Sequence, residues 1–146
     1  MSNEYKDWMR DKIEENKELC RRYPFLIPRN RFTDAIPEDF DYSWTELDAM
    51  PDGWRTAFGE QMCEEIAQAL IKDGYLEKYR ILQIKEKYGE LRWYDKGATQ
   101  EVYDIIEKYS LMSTEICIEC GKPATVITKG WIFPYCDACA HKFGGN

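Results

Sequence analysis

Two short cysteine pairs near the C-terminus constrain this chain more than any other feature. Cys117 and Cys120 form one C-x-x-C, Cys136 and Cys139 form another, and 15 residues lie between them. That spacing falls in the window of zinc sites, because two tight turns that each aim a pair of sulfurs inward build a tetrahedral four-thiolate cage. A closed cage leaves no coordination position for water, so the spacing predicts one structural Zn2+ rather than a catalytic one. Gly121 lets the first turn close, and Thr125 to Thr128 are expected to pair with Trp131 to Phe133 as a short hairpin around Lys129-Gly130. The outline is a zinc ribbon over 115–146. Two disulfides or a redox-active C-x-x-C compete with this reading. A reducing compartment disfavours the first, and the second needs one pair between a strand and a helix. His141, two residues beyond Cys139, reads as a solvated tail residue. A segment of about 30 residues has too little core of its own, so metal binding would supply the stability of the ribbon. Cys20 and Cys63 each sit beside an apolar stripe and read as small buried core residues.

The remainder, 1–114, reads as an α+β body in which helices pack on a small antiparallel hairpin. Tyr5, Trp8, Met9, Ile13, Leu19 and Cys20 recur at near-helical spacing, so a first helix is expected over 4–22, stopped by Pro24. Four prolines and Gly53 then exclude regular structure between 24 and 53. Phe25, Leu26, Phe32, Phe40, Tyr42 and Trp44 make that stretch an ordered wrap with core to cover. Phe58, Met62, Ile66, Ala69 and Leu70 line one face of a helix from Arg55 to Lys72 that ends at Asp73-Gly74. Tyr79 to Lys87 and Glu90 to Tyr94 flank Tyr88-Gly89 as two strands of a hairpin. Thr99 caps a last helix carrying Val102, Ile105, Ile106 and Tyr109.

Charge is distributed unevenly. The formal net charge is -7, and the stretch from 34 to 52 contributes Asp34, Glu38, Asp39, Asp41, Glu46, Asp48 and Asp52 with no base. These carboxylates read either as a solvated loop that caps helices and pairs with nearby arginines, or as a docking surface for a cationic partner. In the second reading the acids supply steering, and Phe40, Tyr42, Trp44 and Trp54 supply anchors. An acidic chain with one histidine and no Ser/His/Asp or Cys/His set offers little to catalysis; thiol–disulfide exchange at the paired cysteines is the one chemistry available. No apolar run is long enough to span a membrane, and the expected location is the cytoplasm.

Four stretches carry a resemblance: Tyr23-Pro24-Phe25-Leu26-Ile27-Pro28-Arg29-Asn30, Met50-Pro51-Asp52-Gly53-Trp54-Arg55, Gln83-Ile84-Lys85-Glu86-Lys87-Tyr88-Gly89 and Cys117-Ile118-Glu119-Cys120-Gly121-Lys122-Pro123. Through them the chain resembles small proteins carried by bacteriophages and prophages, and that group is similar to the zinc-binding inhibitors phages use against type II CRISPR systems. The resemblance implies an anti-CRISPR protein in the bacterial host cytoplasm. It would bind a type II CRISPR effector nuclease stoichiometrically and block target DNA loading, without touching nucleic acid directly. Only the four cysteines carry over position by position. The alternative is a zinc-ribbon protein of phage growth that binds nucleic acid or a transcription complex, with Arg21, Arg22, Arg29, Arg31, Lys122 and Lys129 facing phosphates.

Overall fold

The computed structural model describes residues 3–128, 130 and 132–143. Helix α1 (Asn3–Arg22) leads into a turn of 3-10 helix at Pro24–Leu26, and a second 3-10 turn spans Glu46–Ala49. Helix α2 (Asp52–Trp54) runs through a π-helical turn (Arg55–Gly59) into α3 (Glu60–Lys72). Strands β1 (Ile81–Lys87) and β2 (Glu90–Asp95), helix α4 (Gln100–Ser113), strands β3 (Val126–Ile127) and β4 (Pro134–Tyr135), and helix α5 (Asp137–Phe143) follow. Each sheet is one antiparallel pair, β1 with β2 and β3 with β4.

The α+β class expected from the sequence is the one observed. Phe58, Met62, Ile66, Ala69 and Leu70 are all buried, so the apolar stripe of α3 faces the core. The helical course begins at Asp52, three residues before the expected start, because Pro51 occupies the N-cap and Asp52 the first turn. Thr99 caps α4 by accepting from the Val102 amide at 3.4 Å. In the β1–β2 hairpin, Tyr88 (φ 54°) and Gly89 (φ 78°) both adopt left-handed angles, the geometry of a two-residue type I′ turn. Its strands then pair Lys87 with Glu90, Lys85 with Arg92 and Ile84 with Trp93.

Two expectations fail for reasons of packing. Tyr5 and Trp8 (55% exposed) remain on the surface because α1 is covered only toward its C-terminal half, where Asn16, Leu19 and Cys20 are buried. In the wrap, Phe25 and Leu26 enter the core, whereas Phe32 is 92% exposed and Trp44 is 44% exposed. The core beneath is already filled by Tyr23, Phe25, Tyr79 and Trp93, with Phe25 meeting the Tyr79 ring edge-on at 5.4 Å. A polar chain is buried with them: the Trp93 indole donates to the Tyr79 hydroxyl at 3.0 Å, which donates to Asp95 at 2.5 Å. Cys20 and Cys63 are buried and their thiols are pushed up, Cys20 to about 11, mainly by that burial.

Candidate metal centre and acidic loop

The four cysteines of the sequence pattern converge. The sulfurs of Cys117, Cys120, Cys136 and Cys139 all lie within 4.8 Å of one another, and Cys120 Sγ is 3.6 Å from Cys136 Sγ. A tetrahedral ion about 2.3 Å from four sulfurs would set them roughly 3.8 Å apart, so the cluster is dimensioned for such an ion. Burial pushes the Cys117 thiol up, but the backbone amides of Cys136, Cys120 and Glu119 outweigh it and bring the group down to about 7. Cys139 moves the other way, to about 12, first through burial and then through its neighbouring sulfurs. Sulfurs this close hold one negative charge readily and a second only against repulsion; a cation among them would remove that penalty. The cluster can therefore bind a metal ion.

Local structure explains the convergence. The first knuckle closes by Cys117 N donating to Lys122 O at 2.7 Å and Gly121 N to Cys117 O at 3.0 Å. The second opens α5, where Asp137 accepts from Thr125 Oγ1 at 2.5 Å. The hairpin between them corrects the expected register. Val126 pairs with Tyr135 and Ile127 with Pro134, so the second strand sits C-terminal to the expected Trp131 to Phe133. The shift has a cause: Pro134 O accepts from Ile118 N at 2.9 Å, which draws that strand toward the first knuckle, and Tyr135 is buried. Lys129 and Trp131 lie outside the described residues. His141 is exposed on α5 and is not part of the sulfur cluster, and α5 itself was not anticipated from the sequence.

The knuckle is seated on the body by the segment Met50-Pro51-Asp52-Gly53-Trp54. Gly53 N donates to Ile118 O at 2.9 Å, and the buried Trp54 indole donates to Ile116 O at 3.0 Å. The approach is close enough to require glycine. A Cβ on Gly53 would lie 2.2 Å from Cys117 O, and one on Gly121 would lie 2.7 Å from Gly53 O. Cys117, Ile118, Tyr135 and Cys136 accordingly belong to the same buried cluster as Trp54.

The seven carboxylates between 34 and 52 do not form one surface. Asp34 binds Arg80 at 2.7 and 3.2 Å, with Arg29 at 3.8 Å, and the Arg80 hydrogen bond holds its carboxyl below the usual range. It lines a cleft of about 250 Å³ with Glu46 and with Arg29, Arg31, Arg80 and Lys96, so two carboxylates there face four cationic side chains. Asp48 accepts from Lys12 at 2.9 Å, from Thr45 N at 2.8 Å and from Arg55. Burial opposes its ionisation, but those donors prevail and its carboxyl titrates low. Asp41 is held low by the Ser43 side chain and the Ser43 amide, the latter at 3.0 Å. Glu46 is partly buried and is pushed up to about 7 by desolvation. Glu38, Asp39 and Asp52 are exposed and have no side-chain partner among the described residues. Of the arginines in the alternative phosphate-facing set, Arg21 pairs with Glu18, Arg22 with Glu18 and Glu60, and Arg29 with Asp34, while Arg31 donates to Leu82 O at 3.4 Å.

Among the described residues, no helix is long and apolar enough to cross a membrane. No family model, curated protein or solved structure matches the chain.

Two outcomes follow from this geometry. Gly53→Ala should destabilise the protein by about 2 kcal/mol or more, because the methyl collides with backbone rather than a mobile side chain; urea denaturation of the two proteins measures it, and an unchanged midpoint would contradict the seating. Glu46 has a folded pKa raised from its usual value to about 7, so its contribution is full below about pH 4.5 and is lost as pH rises through 7. Glu46→Gln should remove that loss and stabilise the protein at pH 8 by on the order of 1–2 kcal/mol, discounted for partial exposure. The matching test is the midpoint difference between variant and parent at pH 5 and pH 8.

Proposed function

We propose that the protein is a zinc-braced binding protein that acts by stoichiometric contact with a basic protein surface, and that its partner is a type II RNA-guided nuclease. The observation that carries the reading is the composition of the exposed loop: unpaired Glu38 and Asp39 stand beside the outward-facing Phe32, Ile36 and Trp44. Exposed aromatic and aliphatic side chains among carboxylates combine anchors with a steering field, the pairing that energetic centres of interfaces favour. RNA-guided nucleases hold nucleic acid in strongly basic channels, and a rigid acidic body can occupy such a channel without any catalytic residue. The resemblance of the four sequence stretches to phage proteins supports this partner. The docking carboxylates are narrowed to Glu38, Asp39 and Asp52, since Asp34, Asp41 and Asp48 are engaged within the chain and Glu46 is partly buried.

The ion is proposed to be a single structural Zn2+, because four sulfurs at tetrahedral separation suit a d10 cation and leave no open ligand position. Cys117, Cys120, Cys136 and Cys139 would hold it, and it would fix the two knuckles against each other. Elemental analysis should find one zinc per chain, and none after Cys117→Ser with Cys136→Ser; a metal-free protein with an intact tail by amide exchange would overturn this assignment.

For the partner, the measurement is target cleavage by a purified effector–guide complex with increasing protein. Inhibition should saturate near one protein per complex and weaken about tenfold or more in a Glu38→Gln, Asp39→Asn, Trp44→Ala variant. Cleavage unaffected by the parent protein would refute the partner. Tight binding to bare DNA with a steep salt dependence would instead select the nucleic-acid reading.

A further inference from the structure

The segment 29–35 closes into a turn beside the start of β1. Asn30 Oδ1 accepts from the Phe32 amide at 2.8 Å and the Thr33 amide at 2.9 Å, while Asn30 N donates to Ala35 O at 2.8 Å and Asp34 N to Asn30 O at 2.9 Å. Asp34 ties this turn to Arg80 through two hydrogen bonds, and Arg80 Nη1 is itself anchored on Glu77 O at 2.8 Å and Tyr79 O at 3.0 Å. From just beyond β2, Lys96 Nζ donates to Arg31 O at 3.1 Å. The cleft of about 250 Å³ that these groups enclose is thus framed by hydrogen-bonded backbone and carries Arg29, Arg31, Arg80 and Lys96 on its walls.

The donors on those walls divide into engaged and open ones. Every guanidinium nitrogen of Arg80 is engaged, so that residue serves the frame. Arg29 Nη1 donates to Asp34 O at 3.0 Å, but Arg29 Nε is buried and has no hydrogen-bond partner among the described residues. A buried N–H without an acceptor forfeits its solvation, and folded proteins rarely leave one so. Arg31 makes one long contact, Nη2 to Leu82 O at 3.4 Å, and Lys96 uses a single ammonium proton on Arg31 O. Charge has the same sense. The lining sets four cationic side chains against Asp34 and Glu46, a formal surplus of two positive charges within a chain of net charge -7. Neither acid satisfies the open donors: both oxygens of Asp34 are on Arg80, and Glu46 makes no hydrogen bond among the described residues and is pushed up to about 7 by desolvation.

We propose that this cleft is a phosphate-binding site, which takes a doubly charged phosphate group either as the free ion or as the end of a small phosphomonoester. Arg29 Nε, Arg31 and Lys96 supply the donors, and Arg80 adds charge while holding Asp34 away from them. Planar guanidinium forks and an ammonium point charge suit the several oxygens of a phosphate. A singly charged carboxylate would leave half of the surplus unneutralised. Size acts in the same direction: a cleft of about 250 Å³ lies below the roughly 300–1,000 Å³ of pockets that enclose whole organic ligands, so it receives the charged group and leaves any remainder outside. The site goes beyond the partner reading above and does not rest on it, because it is built from cationic donors and not from Glu38 or Asp39.

The test uses the full-length protein with inorganic phosphate, glycerol phosphate, chloride and a short thymidine oligonucleotide without terminal phosphate. Ionic strength is held constant at about pH 8, where a phosphate monoester carries two charges. In carbon-detected NMR spectra the Arg29 Nε and Cζ signals should shift saturably with inorganic phosphate, at a Kd of millimolar or below, and stay in place with chloride. A matching shift with glycerol phosphate marks the end of a larger molecule as the ligand, and binding of inorganic phosphate alone marks the free ion; either supports the site. Arg31→Gln with Lys96→Gln, both at exposed positions, should keep the parent circular dichroism spectrum and weaken binding about tenfold or more. Glu46→Gln should tighten binding, since it removes a like charge from the lining. Arg29 signals that phosphate leaves unmoved at tens of millimolar, or that chloride moves as far, would overturn the proposal, as would undiminished affinity in the double variant. So would a shift produced by the oligonucleotide and not by phosphate, which would select nucleic acid. None of these readouts involves the nuclease, so loss of the phosphate site and loss of the proposed partner are separate outcomes.

Discussion

The architecture depends on one close approach, in which the Gly53 amide and the Trp54 indole donate to the carbonyls of Ile118 and Ile116. The cysteine segment is too short to bury a core of its own. By docking against the start of the long helical course it gains one: Cys117, Ile118 and Tyr135 share the buried cluster that contains Trp54 and Phe58. The requirement is steric as well as energetic, since a methyl group at residue 53 would meet Cys117 O at 2.2 Å. A metal ion held by the four sulfurs would therefore stabilise from one side the same turn that the body stabilises from the other.

Charge in this protein divides into engaged and free groups. Asp48 lies at the junction of α1, the second 3-10 turn and the π-helical turn, bound to Lys12, Thr45 and Arg55, and is part of the framework. Asp34 joins the wrap to Arg80, just ahead of β1. Of the seven acids between 34 and 52, those left for contact with another molecule are Glu38, Asp39 and Asp52. Exposed Phe32, Ile36 and Trp44 accompany Glu38 and Asp39, so that loop combines field and anchor.

Much of the fold was legible because local signals coincided with burial. The stripe of α3, the cap at Thr99 and the turn at Tyr88-Gly89 each follow from backbone angles or periodicity that distant contacts do not override. The exposure of Trp8, Phe32 and Trp44 was not legible, because an apolar side chain is buried only where another element arrives to cover it. The position of β4 escaped for a related reason. Its register is set by Ile118 N reaching Pro134 O, a contact across the two knuckles that the hairpin's own residues do not encode.

The sequence by itself marked Cys117, Cys120, Cys136 and Cys139 as one cluster and gave the order of the main helices and strands as far as α4, since spacing and periodicity are properties of neighbouring residues. Only the tertiary structure decided which carboxylates are free and how the outer edge of β2 is covered. Partnership of a charge and coverage of a strand depend on segments far apart in the chain, such as Arg80 meeting Asp34 and Ser113 meeting Leu91, and no local pattern specifies where they meet.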